Sequence, residues 1–246
     1  MEYKHKKSFA YVIMAIAVFA LVSLFAGQSI KDNADKSEED SGMGEKEYKL
    51  SQPVKSGCIS VEEAISERRS IREYSKTKLS EKDLSQLLWA AQGISDEKEG
   101  LRTAPSAGAL YPLEIYVAVG MVEEFSEGLY KYNPLNHSLT LKQTGDIRED
   151  LYNASLKQNS IKEAAAVIIY CASFERTASK YGNRAVQYVF IEVGHSAQNV
   201  YLEAAALNLG TVAIGAFEDK KVKSILKLPE EEDPVYIMPV GNKLSF

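Results

Sequence analysis

Cysteine and tryptophan are scarce in this chain, with two and one respectively among 246 residues, and its 29 Lys and Arg are outnumbered by 34 Asp and Glu. Each shortage excludes something. Cys58 and Cys171 lie far apart with no second Cys or His at ligand spacing, which leaves neither a zinc site nor a disulfide framework to propose. A formal charge of -5 argues against a general affinity for nucleic acid, because phosphate-driven binding needs a surplus of Lys and Arg. The chain also lacks a G-x-G-x-x-G fingerprint, a Walker A loop, an H-E-x-x-H helix and a G-x-S-x-G elbow, so dinucleotide-domain, NTPase, metalloprotease and hydrolase readings have no support. What is present, 45% hydrophobic and 26% charged residues, suits one sizeable folded domain behind a tail.

The N-terminus is a separate physical object. Lys4, His5, Lys6 and Lys7 form a basic start (residues 1–8) ahead of Phe9 to Ala26, an uncharged run broken only by Ser23. As a helix that run would be roughly 27 Å long, close to a bilayer core, so residues 9–26 read as a transmembrane signal anchor or a signal peptide. The best cleavage site, Leu24-Phe25-Ala26 before Gly27, lacks a small residue three positions before the cut, which favours the uncleaved anchor. The lysines then stay inside and the domain lies outside the cytoplasm, with secretion after cleavage as the alternative. Residues 27–54 read as a flexible charged linker, since the stretch from Lys31 to Glu47 has almost nothing apolar with which to offset its ordering entropy.

The globular domain is expected over residues 55–246. Ser60 and Glu63 have capping-box spacing ahead of a first helix, and a second runs from Ser80 with Leu84, Leu87, Leu88 and Ala91 on one face and Gly93 past its end. Leu113 to Val119 and Ala164 to Cys171 read as strands, the second placing Cys171 in the core, and Leu129 to Leu141 as a hairpin about an Asn-Pro turn. Between Arg184 and Leu209 one apolar stripe, Val186, Val189, Phe190, Val193, Ala197, Val200, Tyr201, Ala204 and Leu207, predicts a long central helix ended by Gly210. Thr211 to Ile214 and Val235 to Val240 read as short strands with a capped helix from about Glu218 to Leu226 between them. The class is α+β, without regular alternation or repeats.

Cationic side chains carry the first chemical hint. Arg68, Arg69 and Arg72 crowd around Ser70 where the first helix gives way to extended chain, and paired guanidinium donors suit a phosphate dianion. A solvated helix end is the plainer reading of that cluster alone. Ala104 to Pro112, A-P-S-A-G-A-L-Y-P, is a run of small residues before a strand, where backbone can approach a flat ligand.

With these two segments, the G-H-x-x-Q-N helix (Gly194, His195, Gln198, Asn199), the run G-T-V-A-I-G-A-F from Gly210 to Phe217 and the closing P-V-G-x-K (Pro239, Val240, Gly241, Lys243), the chain resembles the nitroreductase family over nearly all of residues 58–246. Within it, the A-P-S-A-G-A-L-Y-P-L-E loop, the hairpin and Lys180-Tyr181-Gly182 with Arg184 look like the SagB-type, azoline-oxidising branch. The resemblance implies a nitroreductase-like mixed sheet flanked by helices and a homodimer with FMN at the subunit interface. It implies that Arg68, Arg69, Ser70, Arg72 and Lys243 hold the FMN phosphate and ribityl chain, with Gly241 beside them. Pro105, Ser106, Ala107 and Gly108 would come from the partner subunit, and Gly215, after Ala213 and Ile214, would offer its N–H to the flavin ring. The long helix would meet its twin where Gly194 and Ser196 permit close approach. His195 reads as a packed helix residue and not a metal ligand. Lys180 and Tyr181 would be catalytic, the lysine as a general base if desolvated, against the plain reading of a polar loop; Tyr111 would line the substrate side.

Three functions follow. The favoured one is an FMN enzyme that moves hydride between flavin and a small or peptidic organic substrate, with NAD(P)H, met only transiently, or oxygen as the other partner. The others are a catalytically silent, membrane-tethered flavin-binding module and a structural membrane-anchored protein that kept only the fold.

Overall fold

The computed structural model describes residues 46–244. The expected basic start and anchor lie outside the described residues, as does most of the linker; among the described residues no helix is long and apolar enough to cross a membrane.

Among the described residues, nine strands and seven α-helices follow one another as β1 (Glu47–Lys49), α1 (Val61–Glu67), α2 (Glu81–Gln92), β2 (Ile94–Asp96), β3 (Leu101–Arg102), β4 (Leu113–Val119), β5 (Gly128–Asn133), β6 (Ser138–Thr144), α3 (Arg148–Ala154), α4 (Asn159–Glu163), β7 (Ala166–Ala172), α5 (Phe174–Tyr181), α6 (Ala185–Ala206), β8 (Leu209–Thr211), α7 (Asp219–Ile225) and β9 (Asp233–Asn242). Seven strands make one sheet in the order β1-β6-β5-β4-β7-β9-β8, while β2 and β3 pair apart. The strand ladders are antiparallel, and the parallel contact among the described residues is a lone bridge between Leu79 and Val122. The class is α+β, as the sequence implied.

The apolar runs of β4 and β7 are explained by helices on both faces of the sheet. Side chains alternate across a strand, so Ile115, Val117 and Val119 enter a core with Leu84, Leu87 and Leu88 of α2 and Val189, Val193 and Val200 of α6. Tyr116 and Ala118 enter a second core with Leu151 of α3, Ile161 of α4 and Val222 of α7. Cys171 is buried in that second core. The capping signals at the first two helices hold: the Ser60 hydroxyl accepts from Glu63 N–H at 3.1 Å, and that of Ser80 from Asp83 N–H at 3.0 Å.

Several boundaries differ from expectation, each for a local reason. Folded structure begins before residue 55: β1 pairs with β6, Leu50 is buried, and the Gln86 side chain brackets Val54, donating to its carbonyl and accepting from its N–H. His137 completes this attachment, its ring nitrogens meeting Ser51 O at 2.9 Å, Ser85 Oγ at 2.8 Å and Tyr132 Oη at 2.8 Å. Those partners lie far away in sequence, so a charged tail did not announce them. The long helix stops at Leu207, before Gly210, because Asn208 takes the left-handed turn (φ 57°); Gly210 lies inside β8. Of the strand expected at Thr211 to Ile214, only Thr211 lies in β8, which starts at Leu209, and Ile214 makes an isolated bridge to Ile237. Helix α7 has no side-chain cap, its N-cap Glu218 making no such bond. Ser196 faces inward, not toward a twin helix, and its hydroxyl donates to Ala91 O at 2.6 Å, which ties α6 to α2. Gly194 and His195 are exposed, so His195 is not packed within this chain.

Candidate active site

The arginine segment is placed by two glycines. After α1 the chain crosses over the edge of the sheet, Ile71 N–H donating to Thr211 O and Ser75 N–H to Asn242 O, both at 2.9 Å. Gly210 and Gly241 stand opposite one another in the β8–β9 register beneath this crossing. A Cβ on Gly210 would meet Ile71 Cγ2 at 2.8 Å, and one on Gly241 would meet the Tyr74 side chain at 2.9 Å. Gly241, expected at a ligand, is thus buried under Tyr74, and its missing side chain serves the crossing.

Tyr201 of α6 gathers the next layer. The Arg68 guanidinium lies over its ring, 5.2 Å from the centroid. The Tyr201 hydroxyl sits 3.1 Å from Ser70 Oγ and accepts from Ala213 N–H at 2.7 Å, joining the arginine segment to the run at Gly210 to Phe217. Arg69 donates to Ser66 O and Arg68 O and lines a recess with Thr211, Ala205 and Lys243, whose amine donates to Asn208 Oδ1 at 3.1 Å. Arg72 reaches back only to Ser70 O, at 3.5 Å. Arg69 and Ile71 line one recess, whereas Arg72 and Glu73 line another with Gln158, Asn159 and Glu163. The predicted convergence of all four cations is therefore corrected to Arg69 with Lys243, and Arg68 with Ser70 at Tyr201. Beyond Ala213 and the buried Ile214, Gly215 is exposed above Tyr236, to whose ring a Cβ would come within 3.5 Å.

At the N-terminal half of α6 stands the second cluster. Asn199 Nδ2 donates to Thr103 O at 3.2 Å, and the Thr103 hydroxyl to Trp89 O at 3.0 Å, fixing the entry to the small-residue loop. Ser106 Oγ accepts from Tyr111 N–H at 2.9 Å. Gly108, Ala109 and Tyr111 all take positive φ (65°, 55° and 46°), a concentration of backbone strain that only a strongly determined loop keeps. Gly108 lies against the end of α5: a Cβ there would be 2.8 Å from the Tyr181 hydroxyl and 3.0 Å from Lys180 Nζ. The structure thus brings the predicted loop and the predicted catalytic pair together within one chain. Lys180 and Tyr181 occupy the last turn of α5, not a loop, with Lys180 exposed and Tyr181 edge-on to Tyr188, centroids 5.1 Å apart. Pro105 is exposed and Ser106 and Ala107 are partly buried. Tyr111 is held by the Arg102 guanidinium, 4.4 Å from its ring centroid, and by Arg176, which donates to Tyr111 O and pairs with Glu114 at 2.7 Å.

Sequence reasoning passed over Arg102, Arg176, Tyr201 and above all Glu192. This carboxylate is 2% exposed. Burial pushes its pKa up to about 6 against the opposing pull of the Ser106 hydroxyl, the Arg102 charge and the Ala107 N–H. A signal existed: Glu192 falls between Val189 and Val193 on the apolar stripe, and a charge on a buried helix face needs partners.

Comparison with known proteins places these features in a lineage. A model described as the nitroreductase family matches residues 65–242. A Methanocaldococcus jannaschii protein named as a nitroreductase is 48% identical over 187 residues, 76% of this chain and 93% of its own. A solved Ralstonia eutropha structure, also named as a nitroreductase, superposes with a TM-score of 0.73 at 29% identity, covering 83% of this chain and 93% of that one. The microcin B17-processing protein McbC of Escherichia coli is 28% identical over 63% of this chain, which spans 59% of McbC.

Proposed function

The chain belongs to the nitroreductase family, and on that footing we propose that it is an FMN-dependent oxidoreductase, acting as a homodimer on a small or peptidic organic substrate with NAD(P)H or oxygen as the other partner. The carrying observation is the contact of Gly108 with Lys180 and Tyr181, which gathers two proton-bearing side chains at a strained, small-residue loop. The similarity to McbC, a peptide-processing protein, supports the SagB-type branch and a peptidic substrate.

The residues fit FMN. Arg69 and Lys243 line one narrow recess, shared with Glu67, at whose mouth the two cations can meet a phosphate; Arg68 and Ser70 meet at Tyr201 beside it, and Gly215 is exposed above Tyr236 where a flat ring can lie. Bound FMN supplies a two-electron carrier. The chain's own part is to orient and to handle protons: the Gly215 N–H is available to a ring atom that gains charge, and Lys180 and Tyr181 can take or give a proton at the substrate. Lys180 is exposed in the single chain, so the desolvation a general base needs comes from bound ligand or a second subunit. Packed on α6, α1 leaves Val61 and Ile65 in solvent, and α6 leaves Val186, Phe190 and Ile191; these five side chains favour a homodimer interface there. An anchor at residues 9–26 holding the domain outside the cytoplasm belongs to the same proposal, and protease shaving of intact cells tests it.

The deciding experiment is absorbance of the purified full-length protein, followed by anaerobic addition of NADH and then a quinone or nitroaromatic. A yellow protein bleached by NADH and recoloured by the acceptor is expected. A yellow protein inert to both would replace the enzyme by a flavin-binding module, and a colourless protein would refute the cofactor.

A further inference from the structure

Glu192 is a strongly buried acid on α6 behind the loop that meets the candidate catalytic pair, and the roles above leave it unused. Helix α6 packs against the turn at Ala107–Ala109, and Glu192 projects from it toward Ser106 and Ala107, whose hydroxyl and N–H stabilise its ionised form. The Ser106 oxygen also accepts from Tyr111 N–H at 2.9 Å. One Glu192 oxygen, Oε1, is buried without a hydrogen-bond partner. Burying a carboxylate costs several kcal/mol unless it is paired, so a glutamate kept here in preference to an apolar residue points to a task at the loop.

That task follows from what the loop carries. Gly108, Ala109 and Tyr111 hold positive φ, and Gly108 abuts the Lys180 amine and the Tyr181 hydroxyl. We propose that Glu192 is a positioning residue: its buried carboxylate grips Ser106 and Ala107 and so fixes Gly108 against Lys180 and Tyr181, without touching substrate itself. The inference rests on the oxidoreductase reading for its kinetic consequence but not for the grip.

Charge makes the grip directional. An ionised carboxylate is acceptor-only and suits two donors at once, whereas the protonated acid brings a donor of its own into a site that already has two. The charged groups facing Glu192 are Arg102 from β3 and Arg176 from α5, both of which favour the ionised form against burial. With burial pushing its pKa up to about 6, the grip strengthens as pH rises through that value and loosens as pH falls through it.

Glu192→Gln keeps shape and one acceptor but loses the charge and one acceptor oxygen. In the full-length protein as purified, the variant should keep its melting temperature and flavin content. Amide hydrogen exchange over residues 103–112 should accelerate about ten-fold, and kcat with NADH and a quinone should fall about ten-fold with KM for the quinone little changed. The decline of wild-type turnover as pH falls through about 6 should be absent in the variant. Unchanged exchange in residues 103–112 overturns the proposal whatever the activity. If the wild type carries no flavin, the oxidoreductase reading fails while the exchange comparison still decides what Glu192 does.

Discussion

Replacing Gly108 by Ala tests the junction on which the proposed chemistry depends. Two costs are added. A non-glycine residue at φ 65° costs about 1 kcal/mol in backbone strain. The new methyl would also stand 2.8 Å from the Tyr181 hydroxyl and 3.0 Å from Lys180 Nζ, inside van der Waals contact. Both obstructing atoms are the far ends of side chains, so they move away and the steric cost to stability is small. A total near 1–2 kcal/mol lowers the melting temperature by roughly 2–8 °C for a domain of this size. Function should suffer more, because a displacement of about 1 Å at reacting groups costs on the order of a hundred-fold in rate. Steady-state turnover with NADH and a quinone, beside thermal melts and flavin content, separates the two. Adding Tyr181→Phe removes one clashing atom, so the double variant should melt higher than Gly108→Ala alone while staying slow. A Gly108→Ala protein with normal kcat and a normal melting temperature would show that the loop does not press on α5, and the catalytic reading of Lys180 and Tyr181 would go with it.

Gly241→Ala forces a methyl to within 2.9 Å of Tyr74 in a buried crossing and should cost about 1–3 kcal/mol, read as a lower midpoint in urea; an unchanged midpoint would mean the crossing is loose. Arg69→Ala with Lys243→Ala should weaken FMN retention at least about ten-fold in a dialysis assay, whereas Arg72→Ala, facing the other recess, should leave it nearly intact; equal losses would reject the split of the cations. Burial holds the His137 pKa below its ordinary value, so the unfolded chain binds its proton more readily than the fold does. That contribution is complete above the unfolded value of about 6.5 and shrinks as pH falls below it, so melts between pH 7.5 and 5.5 should drop less in His137→Gln than in wild type. Phe190→Asp places a charge on a side chain that is 52% exposed, which should leave the monomer folded but abolish dimers in sedimentation; a persisting dimer would move the interface elsewhere.

Elements with strong periodicity were legible in the residues. The strand expected at Leu113 to Val119 is β4 to the residue, the helices after Ser60 and Ser80 start where their caps stand, and the long stripe became α6. Legibility failed where the cause lies far along the chain. Nothing in Glu47 to Lys49 announces a partner near residue 140, and helices α3, α4 and α5 are short, without the side-chain caps that make a helix start visible. The site divides in the same way. Motif residues were found because they recur as linked segments, but the contact of Gly108 with Lys180 and Tyr181 within one chain was not foreseen. Tyr201 and Glu192 were counted with, or hidden within, an apolar stripe, since periodicity reports which face is buried and not what the face is buried against.

Helix α6 sets the distance between the two halves of the site. Glu192 grips the loop beside Lys180 and Tyr181, while Tyr201, nine residues on, gathers Arg68, Ser70 and Ala213, so the two stations are roughly 14 Å apart along the axis. A two-fold axis perpendicular to this helix, crossing it midway between the two stations, runs the copies antiparallel with each offering the other the same surface. The loop station of one subunit is then carried toward the cation station of its twin. Under that arrangement the proton-handling pair and the phosphate recess that serve one flavin come from different chains. A mixed dimer of Gly108→Ala and Arg69→Ala/Lys243→Ala subunits would then keep one of its two sites intact, recovering activity that neither parent shows.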